Sequence, residues 1–194
     1  MAGNLRIGVL GLQGDYREHQ ALLSSLGVES TKVRTAHELS EIDALVIPGG
    51  ESTAMSNIAK TFGLFPPLRD FASKKPVLGT CAGLIMLSDS VEGAILGQEF
   101  IGGLDIVTSR NAYGGQTHSF ESLVDFENGS EKVAFIRAPR ILDSKKAQVL
   151  ATLGGEPVAV RQGNIFGATF HPEITVATFL HKLFIAAVED QKVR

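Results

Sequence analysis

The chain has 194 residues, 44% of them hydrophobic and 20% charged, and its 18 basic and 21 acidic side chains leave a formal net charge of −3. This length favours one domain over residues 1–194, while scattered basic residues and short apolar runs argue against nucleic acid as a main ligand and against a membrane span. The single cysteine cannot form an internal disulfide and the N-terminus lacks a signal-peptide pattern, so we expect a cytoplasmic protein.

The first half of the chain alternates apolar strands with helices. Three apolar runs are typical of buried parallel strands: 5–12, 43–50 and 76–80. A more exposed strand is expected at 28–34. Helices are expected at 15–27 with Gly27 as the C-cap, from Glu51 to Phe62, at 66–74 and directly after Cys81. This β-α-β-α-β-α order predicts a doubly wound parallel sheet.

The second half, from about residue 102, consists of short apolar runs separated by turn residues, which predicts an antiparallel extension of the sheet. The runs are 103–113, 119–126, 132–138, 147–153, 157–162 and 164–170. A final amphipathic helix is expected, with its apolar face formed by Val176, Phe179, Leu180, Leu183, Phe184, Ala187 and Val188. The sequence therefore predicts one α/β domain with an antiparallel extension.

Cys81 lies in Gly79-Thr80-Cys81-Ala82-Gly83, directly after the third buried strand, in the G-x-C-x-G form of a nucleophile elbow. In such a strand-to-helix turn the central residue is strained, and its neighbours are small because the backbone is crowded. The helix beyond it favours a thiolate, and the Ala82 backbone N–H would face a developing oxyanion. A lone cysteine is more often a small buried hydrophobic residue, but the flanking glycines favour a nucleophile.

A thiol nucleophile needs a base, and His171 is the histidine best placed to supply one. It follows the apolar run 164–170, and Pro172 should end that strand. In an extended chain Glu173 would point the same way as His171 and could orient its imidazole, although the three residues could also form a plain loop. The other histidines are expected to be solvated or hydrogen-bonded surface groups: His19, His37, His118 and His181.

The turn from Pro48 to Ser52 follows another buried strand and could supply a second oxyanion donor, the Gly50 backbone N–H. A compatible alternative is an ordinary connection to a helix with Ser52 as its N-cap. The turn matches neither of the common phosphate-binding motifs. No metal is expected, since the sequence has no clustered His and Cys ligands, and nothing in it suggests a bound cofactor.

Several short blocks together resemble a known family. GTCAGL, with HPE about ninety residues later, is similar to the class I glutamine amidotransferases. Within that class, blocks in the same order resemble the glutaminase subunits of pyridoxal 5′-phosphate synthase: IGVLGLQGD, PGGEST, GTCAGLI, RNAYG, SFE, FIRAP and FHPE. GLQGD together with PGGEST and FIRAP is the most specific combination.

The resemblance implies a three-layer α/β glutaminase with a mostly parallel central sheet and an antiparallel extension. Such a protein hydrolyses L-glutamine and passes the ammonia to a separate (β/α)8-barrel synthase subunit in a hetero-oligomer. That partner makes pyridoxal 5′-phosphate from ribose 5-phosphate and glyceraldehyde 3-phosphate, so the phosphate ester is its product and no cofactor is implied for this chain.

Carried over position by position, the resemblance implies that Cys81 is the nucleophile, His171 the base and Glu173 the group that orients it. Gly50 and Ala82 match the oxyanion-hole amides. The matched glutamine-binding positions are Gly50, Glu51, Ser52, Arg110, Ile136 and Arg137. A guanidinium group suits a carboxylate ligand, whereas without the resemblance either arginine would be interpreted as part of a surface ion pair.

One block departs from the family pattern, and three alternatives stay open. Where many members have GRQ, this chain has Gly114-Gly115-Gln116, so a basic side chain near the glutamine site or the partner interface is missing. The alternatives are a glutaminase for another enzyme such as imidazole glycerol phosphate synthase, a cysteine peptidase or chaperone-like relative, and an inactive scaffold. GLQGD and FIRAP argue against another synthase. The ninety positions between Cys81 and His171 argue against a peptidase or chaperone-like relative, and the intact triad argues against an inactive scaffold.

Overall fold

Two β-sheets and seven helices form the part of the chain that the computed structural model describes, residues 5–110 and 119–193. The strands are β1 (Ile7–Leu10), β2 (Ser30–Val33), β3 (Ala44–Ile47), β4 (Val77–Thr80), β5 (Ser88–Glu92), β6 (Leu104–Ser109), β7 (Phe120–Phe126), β8 (Gly129–Phe135), β9 (Arg140–Asp143), β10 (Gln148–Leu153), β11 (Glu156–Gln162) and β12 (Ile165–Ala168). The helices are α1 (Tyr16–Ser25), α2 (Ala36–Ser40), α3 (Ser52–Thr61), α4 (Phe65–Lys74), α5 (Ala82–Leu87), α6 (Pro172–Thr175) and α7 (Phe179–Val193).

Five parallel strands form one half of the large sheet. Its strand order is β2-β1-β3-β4-β12-β11-β10-β7-β8, and the first five strands run parallel to one another. Every residue of β1, β3, β4 and β12 is buried, as expected for parallel strands covered on both faces. The carboxyl ends of β3, β4 and β12 lie side by side, which brings together the segments that follow Ile47, Thr80 and Ala168.

Each face of this sheet packs against its own layer of helices. On one face, Leu23 of α1 and Phe184 of α7 belong to the same apolar cluster as Val46 and Phe166 of the sheet. On the other face, side chains of α3, α4 and α5 share a second cluster with the sheet, among them Met55, Leu68 and Leu84. The result is the three-layer α/β arrangement that the family resemblance implies.

The second half of the chain extends the sheet with antiparallel strands, also as predicted. β11 pairs antiparallel with β12, and β10, β7 and β8 continue the sheet outward. A small second sheet has the order β5-β6-β9. Its residues Leu104, Ile106 and Ile141 lie in the same apolar cluster as Leu84, so the two sheets share one core.

The structure differs from the predicted elements at a few short segments. Helix α2 and strands β5 and β9 were not expected, because segments of 4 or 5 residues are too short to show a clear periodicity. The final helix begins at Phe179, so the prediction that Val176 lies on its buried face is wrong. Val176 is the left-handed cap of α6, with φ +56°, and is exposed. Leu183, also expected on the buried face, is exposed as well.

None of the helices in residues 5–110 and 119–193 combines the length and the apolar character that crossing a membrane requires.

Gly83 allows α5 to start close against the end of β3. A Cβ atom at Gly83 would lie 2.1 Å from the backbone oxygen of Ile47, which cannot move aside as a flexible side chain could. We therefore expect Gly83→Ala to lower the free energy of unfolding by at least about 2 kcal/mol, measured by urea unfolding. Gly27→Ala is the matched control: its Cβ meets no atom within 4 Å, so only the positive φ of +77° opposes it, at about 1 kcal/mol. Equal losses for the two variants would contradict the steric argument.

Candidate active site

Cys81 lies on a strained turn between β4 and α5. Its φ of 49° and ψ of −104° place a non-glycine residue in a region that L side chains rarely adopt. The backbone N–H of Cys81 donates to the Ala168 carbonyl at 2.8 Å, which fixes the turn to the end of β12. The turn is crowded, since a Cβ at Gly79 would lie 2.5 Å from the backbone of Gly83. The strained G-x-C-x-G turn inferred from the sequence is therefore present.

His171 and Glu173 form a buried pair beyond the end of β12. His171 Nδ1 lies 2.7 Å from Glu173 Oε1, and the His171 backbone N–H donates to the Ala134 carbonyl of β8 at 2.7 Å. The predicted contact exists, but the geometry predicted for it is wrong. Pro172 begins the short helix α6 and His171 is its N-cap, so the two side chains meet within the first turn of a helix and not along an extended chain.

The environment of His171 favours its charged form. Burial alone lowers the pKa of this imidazole, but hydrogen bonds with Cys81 and Glu173 and the charges of those two groups outweigh burial and raise the pKa to about 10. Because Nδ1 faces Glu173, Nε2 is the ring nitrogen left for the sulfur. An imidazolium beside a thiol favours the thiolate, which is the form of cysteine that attacks a carbonyl carbon.

A cleft of about 310 Å³ opens above this group and collects most of the predicted site residues. The predicted residues that line it are Gly50, Glu51, Ser52, Cys81, Arg110, Ile136, Arg137 and His171. The other two, Ala82 and Glu173, are buried and do not line the cleft. The Cys81 sulfur lies 3.8 Å from the Ile136 carbonyl oxygen, so the segment directly after β8 forms part of the cleft wall.

Glu51 caps the helix that follows the Gly49-Gly50 turn, which corrects the expectation that Ser52 is the N-cap. Its two carboxylate oxygens accept the backbone N–H groups of Thr53 at 2.9 Å and Ala54 at 2.6 Å. Burial raises the pKa of Glu51, but these hydrogen bonds and the charge of Arg110 outweigh it and lower the pKa. A carboxylate offers each of these N–H groups its own oxygen, which the single hydroxyl oxygen of a serine cannot do.

The two predicted arginines differ in what they contact. Arg110 lies 3.1 Å from Glu51 Oε1 and 2.8 Å from Gln98 Oε1, so its guanidinium is already held in the cleft wall. Arg137 is exposed at the rim and has a positive φ of 46°. The block that follows Arg110, which includes Gly114-Gly115-Gln116, lies outside the described residues, as does His118.

Three residues that follow β1 also line the cleft, although the sequence analysis gave them no role: Gln13, Gly14 and Asp15. Gln13 Oε1 accepts the Glu51 backbone N–H at 2.7 Å, and the Asp15 N–H donates to the Gly49 carbonyl at 3.3 Å. A Cβ at Gly14 would lie 1.7 Å from the Gly49 oxygen, so this loop and the Gly49-Gly50 turn are pressed together. The signal was available in the sequence, because GLQGD follows a buried strand that ends at the same edge of the sheet.

Within residues 5–110 and 119–193, Asp15, His171 and Glu173 are the group of side chains that could hold a metal ion. One ligand atom from each lies within 4.8 Å of the others. His171 Nδ1 is already engaged with Glu173 at 2.7 Å, so a cation would have to displace the proton of that hydrogen bond. The donor set therefore suits a proton better than a resident metal.

The prediction that His19 and His181 are surface groups is wrong, because both are fully buried. His19 Nδ1 lies 3.1 Å from His181 Nε2, and His19 Nε2 lies 3.0 Å from Thr80 Oγ1. Burial lowers the pKa of His181 to about 4, and burial together with the charges of His181 and His171 lowers the pKa of His19 well below 6.5. Both rings are therefore neutral at physiological pH.

This neutral pair predicts a loss of stability in mild acid. Between pH 6.5 and 4 the unfolded chain binds protons at His181 that the folded chain does not, so the free energy of unfolding falls as the pH falls. His181 alone should contribute about 3 kcal/mol across this window. The raised pKa of His171 also contributes to the free energy of unfolding, but this contribution is fully present below pH 6.5 and is lost as the pH rises above that value. Urea unfolding at pH 7 and pH 4.5 measures the effect.

Two variants make this measurement specific. His181→Phe should flatten the dependence on pH, because it removes one of the two buried groups that must stay neutral. His37→Gln is the control, since His37 is exposed, and it should keep the wild-type profile. A wild-type profile that is flat between pH 7 and 4.5 would show that the buried pair does not control acid stability.

The fold is that of the glutamine amidotransferases. A solved structure of a glutamine amidotransferase matches with a TM-score of 0.88 and 40% identity, covering 94% of this chain and 98% of that one. Residues 9–190 match the SNO glutamine amidotransferase family, and the chain belongs to that family. PurLQS from Thermotoga maritima matches at a TM-score of 0.64 and 17% identity, over 98% of each chain, and shares the fold alone.

Curated relatives are similar over nearly their whole length. The Mycolicibacterium vanbaalenii protein is 47% identical over 190 residues, which cover 94% of this chain and 97% of the relative. The Streptomyces avermitilis protein is 49% identical over 191 residues, covering 96% and 95%. Both relatives are named pyridoxal 5′-phosphate synthase subunit PdxT. The family resemblance inferred from the motif blocks is thereby confirmed.

Proposed function

We propose that this chain is the glutaminase subunit of a pyridoxal 5′-phosphate synthase, which hydrolyses L-glutamine to glutamate and passes the ammonia to a synthase subunit. The observation that carries the chemistry is the 2.7 Å contact of His171 with Glu173, beside Cys81 on its strained turn. The partner and the final product rest on the relatives, which carry the name of a synthase subunit.

The reaction begins with acyl transfer to Cys81. The thiolate attacks the carboxamide carbon of glutamine, and a tetrahedral intermediate with a negatively charged oxygen forms. His171 gives its proton to the departing nitrogen, so the C–N bond breaks, ammonia leaves and a γ-glutamyl thioester remains. His171 then takes a proton from water, which attacks the thioester and releases glutamate and the thiolate. Glu173 keeps the imidazole oriented and stabilises its positive charge in both steps.

Backbone amides of Gly50 and Ala82 are proposed to hold the oxyanion. Gly49 directs its carbonyl toward the Gln13–Asp15 loop, where Asp15 N–H donates to it at 3.3 Å. Since the peptide is trans, the Gly50 N–H points away from that loop. One such donor contributes about 3–4 kcal/mol to a transition state of this kind. Ala82 follows the nucleophile directly and begins α5, so its N–H has no partner within the helix.

The cleft suits a small amino acid. Glu51, Ser52, Arg110, Ile136 and Arg137 line it and are proposed to contact glutamine. Arg137 is the better candidate for the substrate carboxylate, because Arg110 is already paired with Glu51 and Gln98. The side chain of glutamine then reaches down to Cys81.

The proposal extends to the assembly and its setting. The synthase subunit is proposed to be a (β/α)8 barrel in a hetero-oligomer with this chain, in the cytoplasm, with no bound cofactor on this chain itself. Residues 1–194 are proposed to form a single domain, which the core shared by the two sheets supports.

The decisive experiment measures glutamate release from glutamine, with and without a pyridoxal 5′-phosphate synthase subunit. The cyclase subunit of imidazole glycerol phosphate synthase serves as the matched control partner. We expect strong stimulation by the first partner and none by the second. Stimulation by the control partner alone would assign the chain to another synthase, and no release under any condition would indicate an inactive scaffold.

A further inference from the structure

A buried histidine pair lies behind the proposed triad and contacts the carboxylate oxygen that the triad does not use. Glu173 Oε1 faces His171 at 2.7 Å, while Glu173 Oε2 lies 3.2 Å from His19 Nε2. His19 Nδ1 in turn lies 3.1 Å from His181 Nε2. The side chains of His19 and Glu173 are completely buried, so water does not compete for these contacts.

The carboxylate decides which nitrogen of His19 carries the proton. Glu173 Oε1 faces His171, whose charged form is favoured, and a carboxylate can only accept hydrogen bonds. A lone pair on His19 Nε2 would repel Oε2, which makes no hydrogen bond within the described residues, while Nε2 itself lies 3.0 Å from Thr80 Oγ1. A proton on Nε2 would face Oε2 at 3.2 Å and replace this repulsion by attraction. His19 Nδ1 is then an acceptor, and His181 Nε2–H is the donor that faces it.

We propose that His19 is a positioning residue for the glutaminase reaction, in which its Nε2–H holds Glu173 Oε2 so that Oε1 stays aligned with His171. His181 supports it by donating to Nδ1, which keeps the proton of His19 on the opposite nitrogen. The buried chain runs from His181 through His19 and Glu173 to His171 and Cys81. This inference rests on the proposed function, because it assigns a role within that reaction.

The groups around His19 support a neutral donor. Thr80 Oγ1, Glu173 and His181 contact its ring, and the positive charge of His171 lies beyond Glu173. Burial and the nearby imidazoles lower the pKa of His19, so it does not compete with His171 for the proton. The two histidines come from α1 and α7, and the chain therefore links the first and last helices of the fold to the reacting group.

Loss of the His19 Nε2–H donor should lower the reactivity of Cys81. A buried carboxylate oxygen without a donor is costly, so Glu173 would hold the charged form of His171 less well. The imidazolium is then less populated, and the thiolate forms at higher pH. Turnover falls while the glutamine-binding wall of the cleft is untouched, so KM should change little.

Two substitutions of His19 separate positioning from packing. The amide nitrogen of glutamine lies as many bonds from the backbone as Nε2, whereas that of asparagine reaches only as far as Nδ1. His19→Gln can therefore donate to Glu173, and His19→Asn cannot. We expect His19→Asn to lower kcat by about 10- to 100-fold, the effect of one hydrogen bond to a charged group, and His19→Gln to recover most of that loss. His37→Gln, at an exposed histidine, is the control.

Two readouts are used on the full chain. Glutamate release with the synthase subunit gives kcat and KM. Alkylation of Cys81 by iodoacetamide across pH needs no substrate or partner, and it reports one thiol because the sequence has one cysteine. We expect the alkylation profile of His19→Asn to move to higher pH and that of His19→Gln to stay near wild type.

The outcomes are distinct. Equal kcat values for the two folded variants, with unchanged alkylation profiles, would overturn the positioning role and leave only packing. A wild-type protein without glutamate release would defeat the proposed function, and the alkylation profiles would still decide the role of His19. If His19→Asn does not fold, His181→Phe replaces it, with the same upward shift expected and an unchanged profile overturning the proposal.

Discussion

Replacing Cys81 by alanine is expected to lower glutamate release by at least about 10³-fold, because the covalent thioester cannot form and binding plus oxyanion contacts alone remain. Folding should be little affected, since the sulfur contacts the Ile136 carbonyl at 3.8 Å and the His171 imidazole, while the turn is held by the backbone hydrogen bond of Cys81 with Ala168. The measurement is glutamate release with the synthase subunit present, alongside thermal unfolding of both proteins.

Cys81→Ser is the matched variant, since it keeps the shape of the side chain and replaces only the sulfur. It should be as inactive toward glutamine as alanine, because a hydroxyl is a far weaker nucleophile than a thiolate beside an imidazolium. An electrophilic diazoketone analogue of glutamine should label the wild-type chain once and neither variant. Turnover by Cys81→Ala at the wild-type rate would remove Cys81 from the mechanism.

Glu173→Gln is expected to lower kcat by about 10²- to 10⁴-fold, as an amide in place of the orienting carboxylate does in related triads. The amide has the same shape but carries no charge, so it cannot stabilise the imidazolium that the Glu173 contact at 2.7 Å supports. It can also donate its NH₂ group to His171 Nδ1, which favours the tautomer with the proton on Nε2, the nitrogen that must accept a proton as base. The alkylation profile of Cys81 should move to higher pH.

Glu189→Gln is the control for this substitution, because it makes the same chemical change on the exposed face of α7. It should keep the wild-type kcat and alkylation profile. A Glu173→Gln protein with the wild-type kcat would mean that another group orients His171. Asp15 is the nearest alternative, with Oδ2 3.7 Å from Nδ1.

The role expected for Cys81 could be inferred locally, because a turn between two glycines after a buried strand is encoded within five residues. His171 could be singled out as the candidate base from its place after an apolar run, but its approach to Cys81 could not be derived from the residues alone, since no local pattern shows which strand lies beside β4. The order of the sheet places β12 next to β4, and with it His171 next to Cys81.

The contact of Glu173 with His171 was predicted for a geometry that does not occur. Alternation along an extended strand would place both side chains on one face, but proline at the first position of a helix is favourable and α6 begins there. Similarly, Glu51 and not Ser52 caps α3, because a carboxylate can accept two backbone N–H groups and also pair with Arg110, 59 positions away. A partner at that distance in sequence leaves no local signal.

The sequence by itself determined the class of fold, the strained cysteine turn and the family, because buried strands, glycine spacing and ordered motif blocks are local features. Only the tertiary structure decided which polar groups are removed from water. His19 and His181 lie 162 positions apart on helices that looked partly polar, yet both are buried where α1 and α7 cover the same face of the sheet. Burial depends on what packs against a side chain, and that is set by the whole fold.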